Sequence, residues 1–380
     1  MRALLQVACP GQKPYNRAMH LTAGLLLTLL LTACAPGTPA AGDADRPADA
    51  PAGSAAVTLM TFNVENLFDA EDDPGKDDRA YLPLAQKQTA EHRAACARVR
   101  NQRWRDECLY QDWNEAVVAR KLAVVAEAIR QVGDGRGPDI VALQEVENLS
   151  ILERLADEYL AGSGYRAVLL EGDDERGIDV AYLTRLPLVG EPVLHRIEFR
   201  GVESAREADT RGILEATFLL PDGTLLTGFA VHFPAPFHPT SMRVDAYRKL
   251  NALATALPAD RPAFAAGDFN TTSAEDREHA MLERHVRPVW IVVHETGCDG
   301  CRGTSWYPPT GEWSFLDMLL WKPATRRGAG ATWELVPGSV AIANGTPAQV
   351  TPEGTPARFT LPAGSGVSDH WPLVATIAAN

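Results

Sequence analysis

The chain has 380 residues, 46% of them apolar and 22% charged. That is the balance of a globular protein with one large domain or two ordinary ones, and it excludes a disordered or membrane-embedded chain. The net charge is −13; the first 33 residues carry Arg2, Lys13 and Arg17 and no acid, so the remainder stands at −16. A surface that acidic repels phosphate backbones at long range, and nucleic-acid binding would need a local basic patch or bound cations.

The N-terminus reads as a targeting segment. Lys13 and Arg17 precede the apolar run LTAGLLLTLLL, which is short for a permanent membrane span. The following LTAC, Leu31 to Cys34, resembles the lipobox of bacterial lipoproteins, so residues 1–34 are expected to be a signal peptide with Cys34 as the lipidated residue. Ordinary secretion with cleavage nearby is the alternative, and Met19 is a second candidate start. Residues 35–56 are rich in Ala, Pro and Gly without a large apolar side chain, and are expected to form a flexible tether. The folded domain is expected over 57–380, exported and anchored to a membrane that faces the periplasm or the cell exterior.

In the domain, AVTLMTFNVENLF predicts a strand and Asp69–Asp78 an acidic loop. A charged helix is expected over Ala90–Tyr110. In KLAVVAEAIRQV, Leu122, Val125, Ala126, Ile129 and Val132 recur at helical spacing, and GRGPD stops that helix. IVALQEVEN predicts a strand and LSILERLADEYL an amphipathic helix. GIDVAYL, ILEATFLL and LLTGFAVHF predict strands, the last two joined by a PDG turn. MRVDAYRKLNALATAL reads as helix, and PAFAAGDFN, WSFLDMLLW and PLVATI as strands. Strands and helices alternate without a clean βαβ rhythm, which points to an α/β sandwich with mixed sheets rather than a Rossmann or barrel fold.

Cys96, Cys108, Cys298 and Cys301 fall in the domain, an even number suited to disulfides in an oxidising compartment. CDGC also fits half of a zinc site, although no second half is visible. Cys96 and Cys108 cannot pair within one straight helix, because twelve residues rise about 18 Å and a disulfide needs Cα atoms within about 7 Å. A bond between them requires the helix to break.

Most of the strands end in polar clusters. Asn63 and Glu65 close the first, and Gln144, Glu145 and Glu147 the second. Asp179 opens GIDVAYL, His232 closes GFAVHF, and Asp268 and Asn270 close AAGDFN. Asp317 stands inside an apolar run, where an acid must face a partner or a cleft, and Asp369 and His370 precede the last strand. Singly these are caps and turn formers; together they suggest one converging site. TFNVENL, DIVALQEVEN, GIDVAYL, AVHF, GDFN, WSFLDMLL and SDHWPL stand in an order that resembles the endonuclease/exonuclease/phosphatase superfamily. That superfamily includes pancreatic-type deoxyribonucleases and abasic-site endonucleases. The resemblance covers about Val57 to Ile377. It implies a four-layer α/β/β/α sandwich of two mixed β-sheets, with the site at one end.

The resemblance also implies roles. Mg²⁺, with Mn²⁺ or Ca²⁺ as alternatives, would be held by Glu145, with Asn63 beside it and Asp369 through water, since such an ion takes hard oxygen ligands. His370 would contact the scissile phosphate and act as general base, oriented by Asp317. Asp369, its neighbour, would point to the other face of the chain. Asp268 is the competing base, and Asn270 a neutral phosphate ligand. His232 would be a second histidine with Asp179 as its orienting acid. Arg211 would bind phosphate, or else be an exposed strand-end arginine.

CARVRNQRWRDEC sets Arg98, Arg100, Arg103 and Arg105 around Trp104, which suits a nucleic-acid backbone, or else forms a solvated face paired to Asp106 and Glu107. The expected activity is metal-dependent hydrolysis of phosphate esters by a monomeric nuclease or phosphodiesterase, nucleic acid being the leading substrate. A phosphomonoesterase or phospholipid hydrolase, and a non-catalytic binding lipoprotein, are the alternatives.

Overall fold

The structure, a computed structural model, describes residues 55–203, 210–326, 328 and 330–380. Apart from Ala55 and Ala56, the expected leader, Cys34 and tether lie outside the described residues. Among the described residues no helix is long and apolar enough to cross a membrane.

Two mixed sheets form the body. The first contains β1 (Ala56–Leu67), β2 (Ile140–Val146), β3 (Arg166–Leu169), β4 (Asp179–Thr184), β13 (Trp333–Leu335), β14 (Ala341–Ile342) and β15 (Leu373–Ala379), in the order β13-β15-β1-β2-β4-β3 with β14 beside β15. The second contains β5 (Val193–His195), β6 (Ile213–Leu219), β7 (Leu225–His232), β8 (Ala263–Asp268), β9 (Ile291–Val292) and β12 (Asp317–Lys322), in the order β5-β6-β7-β8-β12-β9. A separate hairpin joins β10 (Ser305–Tyr307) to β11 (Glu312–Ser314).

Seven α-helices complete the described chain: α1 (Ala90–Cys96), α2 (Gln102–Tyr110), α3 (Glu115–Arg130), α4 (Leu149–Arg154), α5 (Thr240–Ala256), α6 (Ser273–His279) and α7 (Met281–His285). The helix α3 starts where the Asn114 side chain accepts the Ala116 and Val117 N–H groups. It buries Leu122, Val125, Ala126 and Ile129, the stripe expected from spacing, and Val132 packs at its edge. In α5, Met242, Ala246, Tyr247, Leu250 and Ala254 form the corresponding face.

Period-two alternation sorts the strands into three cores. On β1, Val57 and Leu59 face the other sheet, while Met60, Phe62 and Val64 face α3. On β8, Phe264 and Ala266 face the first sheet, while Ala263 and Ala265 face α5. Helices on sheet, sheet on sheet, and sheet on helices make the four layers expected.

Each sheet is built around one parallel pair, β1 with β2 and β7 with β8. Parallel neighbours need a crossover, which α3 supplies in the first sheet and α5 in the second. The carboxyl ends of all four strands follow from this, and the antiparallel strands beside them, β4, β12 and β15, begin at the same ends.

CDGC is a disulfide, Cys298 to Cys301, as the even cysteine count favoured over half a zinc site. The structure departs from the sequence reading in three places. The helix expected over Ala90–Tyr110 breaks into α1 and α2, and the break lets Cys96 and Cys108 bond with Cα atoms 5.7 Å apart. The helix after β2 ends in a π turn over Leu155–Tyr159. WSFLDMLLW is two strands, β11 and β12, so Asp317 opens a strand instead of lying inside one.

At Gly267 the two strands of the second parallel pair leave no room for a side chain. A Cβ there would lie 1.9 Å from the Val231 carbonyl oxygen on β7, its register partner. Gly267→Ala is expected to lower stability by about 3 kcal/mol or more, since backbone must move to admit the methyl. Urea unfolding measures this, and an unchanged midpoint would mean that β7 and β8 part freely.

Candidate active site

The topology brings the polar strand ends together. On β7, β8 and β12, the residues that share a face with Ala230, Ala266 and Leu319 continue to His232, Asp268 and Asp317, directed between the sheets. Register sets these three side by side, with His232 opposite Asp268 and Asp268 opposite Asp317. From the first sheet Asn63 joins on the same inner face as Val57 and Leu59.

Glu145 needs a special device. Val141 and Leu143 face the helix-side core, so a regular strand would send Glu145 there too. Instead the register breaks between Gln144 and Val146, Glu145 takes φ 64°, and Val146 returns to the helix-side core out of phase. This is a β-bulge re-aiming one side chain. Glu65 and Asn66 do the same at the end of β1, with φ of 52° and 60°, and Asn270 follows β8 at 50°. Left-handed backbone at a residue with a side chain costs of order 1–3 kcal/mol, and it persists only where the surroundings impose it. Four of the six such residues described lie at these strand ends.

The distances define a connected cluster. His370 Nδ1 lies 2.6 Å from Asp317 Oδ2. Asp317, Asp268 and His370 each offer a ligand-type atom within 4.8 Å of the others. Asp268 accepts the Asn270 N–H at 2.8 Å on one oxygen and the Asn63 amide at 3.2 Å on the other. The Asn63 amide also donates to Glu145 at 3.3 Å, and the second Glu145 oxygen accepts the Asn66 N–H at 3.0 Å. The Ser368 hydroxyl donates to Asn63 O at 2.7 Å and accepts the His370 N–H at 3.0 Å, tying the last segment to β1. Glu145 and His370 therefore share one site.

Burial and charge set the protonation of this cluster. Burial opposes charging of His370, but the Asp317 carboxylate on Nδ1, with Asp369 and Asp268 nearby, outweighs it and holds the imidazole well above its ordinary range. Burial, with Asp317 adding to it, pushes Asp268 up to about 7. Burial, then Arg211 and His370, keeps His232 well below its usual value, so it is neutral.

Three expectations need correction. Asp179 does not orient His232: it accepts the Gly172 N–H at 3.0 Å, and His232 Nδ1 is buried with no partner. The nearest acid to His232 is Asp268, 3.6 Å from its Nε2. Arg211 is not the exposed strand-end arginine of the alternative reading: its side chain is 12% exposed, one guanidinium nitrogen pairs with Asp174 at 2.8 Å, and its Nε is buried without a partner. Asp369 does not turn away from His370, since its Oδ1 lies 3.9 Å from His370 Nε2 and its Oδ2 lies 3.4 Å from Arg358.

Several site residues escaped the sequence reading. Arg176 bonds to the Asn66 side chain and lies against the Tyr81 hydroxyl and the Glu145 charge. It stands just before GIDVAYL, the one signal that could have found it. Arg358 pairs with Glu65 at 2.5 Å, and Glu65 also accepts the Asp369 N–H at 3.1 Å. Gln144 Nε2 and Asp317 Oδ1 are buried without partners, as is His232 Nδ1. Unpaired polar atoms in a buried site suit a ligand that completes them.

A family model described as Endonuclease/Exonuclease/phosphatase family matches residues 60–370. The chain belongs to the endonuclease/exonuclease/phosphatase family. Members are typically phosphoesterases and nucleases that use divalent metal ions. Among solved structures, the family protein from Bacteroides thetaiotaomicron is similar at 16% identity and a TM-score of 0.52, over 86% of this chain and 99% of that one. A D. rerio TDP2 humanized by 14 mutations is similar at 17% identity and a TM-score of 0.49, over 85% and 98%. The family protein from Beutenbergia cavernae is similar at 16% and 0.49, over 86% and 72%. No curated protein matches the chain.

The Asp317–His370 contact gives a direct test of the site. In an NMR titration the His370 ring of this family member should change charge well above the usual histidine range, and Asp317→Asn should bring the midpoint down towards that range. An unmoved midpoint would separate the two groups.

Proposed function

We propose that the chain hydrolyses phosphodiester bonds in nucleic acid with the help of Mg²⁺. The observation that supports this best is the meeting of an oxygen-donor set, Glu145 with Asn63 and Asp369, and an acid–imidazole set, Asp268 with Asp317 and His370, at one end of the sandwich. The first set fits a hard divalent ion. Glu145 receives only neutral N–H donors at hydrogen-bond distance, so lone pairs on both its oxygens are uncommitted. When bound, the ion would neutralise charge on the phosphoryl and leaving oxygens.

The chain's own residues account for the rest. The Asp317 carboxylate fixes the imidazole of His370 by Nδ1 and keeps it protonated, so Nε2–H donates to a phosphoryl oxygen. A protonated imidazole cannot accept a proton, which moves the base from His370, the role first expected, to Asp268. Asp268 takes the proton of the attacking water, and its raised affinity for protons suits that task near neutral pH. Asn270 holds Asp268 through its backbone N–H and offers a second amide hydrogen to the phosphate, its first being donated to Phe233 O at 2.9 Å.

The segment 97–105 favours nucleic acid over a small ester. The Cys96–Cys108 bond clamps it, Trp104 is 59% exposed, and Arg98 and Arg100 are exposed without an ion-pair partner among the described residues. Arg103 does pair with Glu107, as the solvated-face reading expects, and Arg105 donates to Val99 O and Gln102. Just after α2, the Gln111 side chain donates to Ala80 O at 3.0 Å, beside Tyr81, which stacks on Phe68 and lies against Arg176. Aromatic faces and free arginines are the elements of single-strand binding. Export and lipid anchoring through Cys34 belong to the same proposal.

Activity on DNA or RNA should vanish with EDTA and return with Mg²⁺. It should rise with pH through about 7 as Asp268 loses its proton, and fall at higher pH as His370 loses its own. Asp268→Asn and His370→Ala should each lower kcat by about 10²–10⁴, measured beside phosphomonoester and phospholipid substrates. Turnover indifferent to chelation, or confined to those other substrates, would refute the assignment. Arg98→Glu with Arg100→Glu should raise KM for a polynucleotide and leave bis(p-nitrophenyl) phosphate hydrolysis unchanged; equal effects on both would remove the segment from binding.

A further inference from the structure

The helices α1 and α2 bring three side chains of metal-binding type together at the base of segment 97–105. His92 and Cys96 stand four residues apart on one face of α1, and Cys108 meets them from α2. One ligand atom from each, a ring nitrogen and the two sulfurs, all lie within 4.8 Å of one another. All three residues are buried. The sulfurs are joined in the disulfide, with Cα atoms 5.7 Å apart. A disulfide has no need of an imidazole, yet His92 is fixed beside it, its Nε2 lying 2.9 Å from Cys108 O. With Nε2–H donating to that carbonyl, Nδ1 keeps its lone pair, and it has no hydrogen-bond partner among the described residues.

We propose that the reduced form of this cluster, His92 with the thiolates of Cys96 and Cys108, is a zinc site, and that zinc takes over the clamp on segment 97–105 when the disulfide is open. Sulfur and nitrogen donors select zinc over the hard ions suited to the catalytic carboxylates. Two thiolates and one imidazole supply three of the four ligands of a tetrahedral site, and a water molecule completes it. Two thiolates also cancel the charge of the ion, so the buried cluster gains none. The helix spacing and the contact of His92 with the Cys108 carbonyl hold the three groups near one another whether or not the sulfurs are bonded.

The chain carries thiols when it is made, and a dithiol reductant restores them. That reductant gives two electrons and two protons as the S–S bond breaks, and becomes a disulfide itself. Each thiol passes its proton to solvent as its sulfur bonds zinc. Segment 97–105, with Arg98, Arg100 and Trp104 exposed, would then be anchored at both ends in either redox state. The zinc site does not depend on the substrate proposed above.

The purified protein, reduced with dithiothreitol and desalted under nitrogen, tests this with Co²⁺ as a coloured stand-in for zinc. It should develop a sulfur-to-cobalt absorption band that Zn²⁺ bleaches. The oxidised protein should show no band, because the oxygen donors of the catalytic site cannot give one. Compared with metal-free reduced protein, zinc should protect Cys96 and Cys108 from iodoacetamide and leave Cys298 and Cys301 reactive, which separates the two pairs without any substitution. Cys96→Ser with Cys108→Ser should abolish the band, and His92→Ala should weaken zinc by about ten-fold or more. Trypsin should cut after Arg98 or Arg100 faster in the reduced metal-free protein than in the oxidised or zinc-loaded protein. A reduced protein without the band, protection at Cys298 and Cys301 instead, or unchanged affinity in His92→Ala would overturn the site. Cleavage indifferent to zinc would overturn the clamp.

Discussion

Parallel strands cannot be joined by a tight turn, and this chain accepts that constraint twice. Each crossover, through α3 and through α5, delivers two carboxyl ends to the same edge of its sheet, and the two sheets then stack with those edges aligned. Everything polar at the site depends on this arrangement. Asn63 and Glu145 arrive from one parallel pair, His232 and Asp268 from the other. The antiparallel neighbours run the other way, so their first residues, Asp317 and the segment before β15, meet the same edge. A handful of residues spread over three hundred positions become neighbours because strand direction leaves them nowhere else to go.

The site departs from regular structure where the chemistry demands it. Bulges at Glu65–Asn66 and at Glu145, and the turn at Asn270, place side chains in left-handed backbone. Carboxylates and imidazoles are buried with incomplete hydrogen bonding. Both features oppose folding, and the three apolar cores beneath offset them. The same cores make the arrangement rigid: Gly267, pressed against the Val231 carbonyl, leaves Asp268 one residue later with little freedom to move. The preorganisation that catalysis needs is a by-product of tight strand packing, not a separate device.

Residues that define strand ends were visible in the sequence, and those that arrive through loops were not. Asp317 could be singled out because an acid beside MLLW has to face something, and His370 because it precedes a short apolar strand. The family resemblance then supplied their pairing, which the structure places at 2.6 Å. Tyr81 and Arg358 carry no such signal, and Arg176 has only its place before GIDVAYL. They lie in segments whose approach to the site is set by hydrogen bonds such as Asp77 N–H to Glu175 O, and no periodicity reports these. Alternation also misleads at a bulge. Counting by twos sends Glu145 into the helix-side core, and only the break in register, invisible in IVALQEVEN, turns it to the site. Asp179 failed for a related reason: its carboxyl is taken by the Gly172 N–H, a loop contact that pairing acids with histidines by motif order cannot anticipate.

The acidity of the chain leads to a further consequence. At −13 the protein repels a polyanion out to about a Debye length, so under the proposed activity the approach would be driven by local charge. The described positive groups near the site are largely committed: Arg211 to Asp174, Arg358 to Glu65 and Asp369, Lys121 to the Val367 carbonyl. His370 carries its charge only because Asp317 sustains it. On the proposed activity, the positive potential that a phosphodiester meets would come mainly from bound divalent ions, with Arg98 and Arg100 as exposed arginines outside those pairs. On this reading the carboxylates are not an obstacle to acting on a polyanion. They gather the ions that make the approach possible, and an acidic chain becomes selective for conditions in which those ions are available.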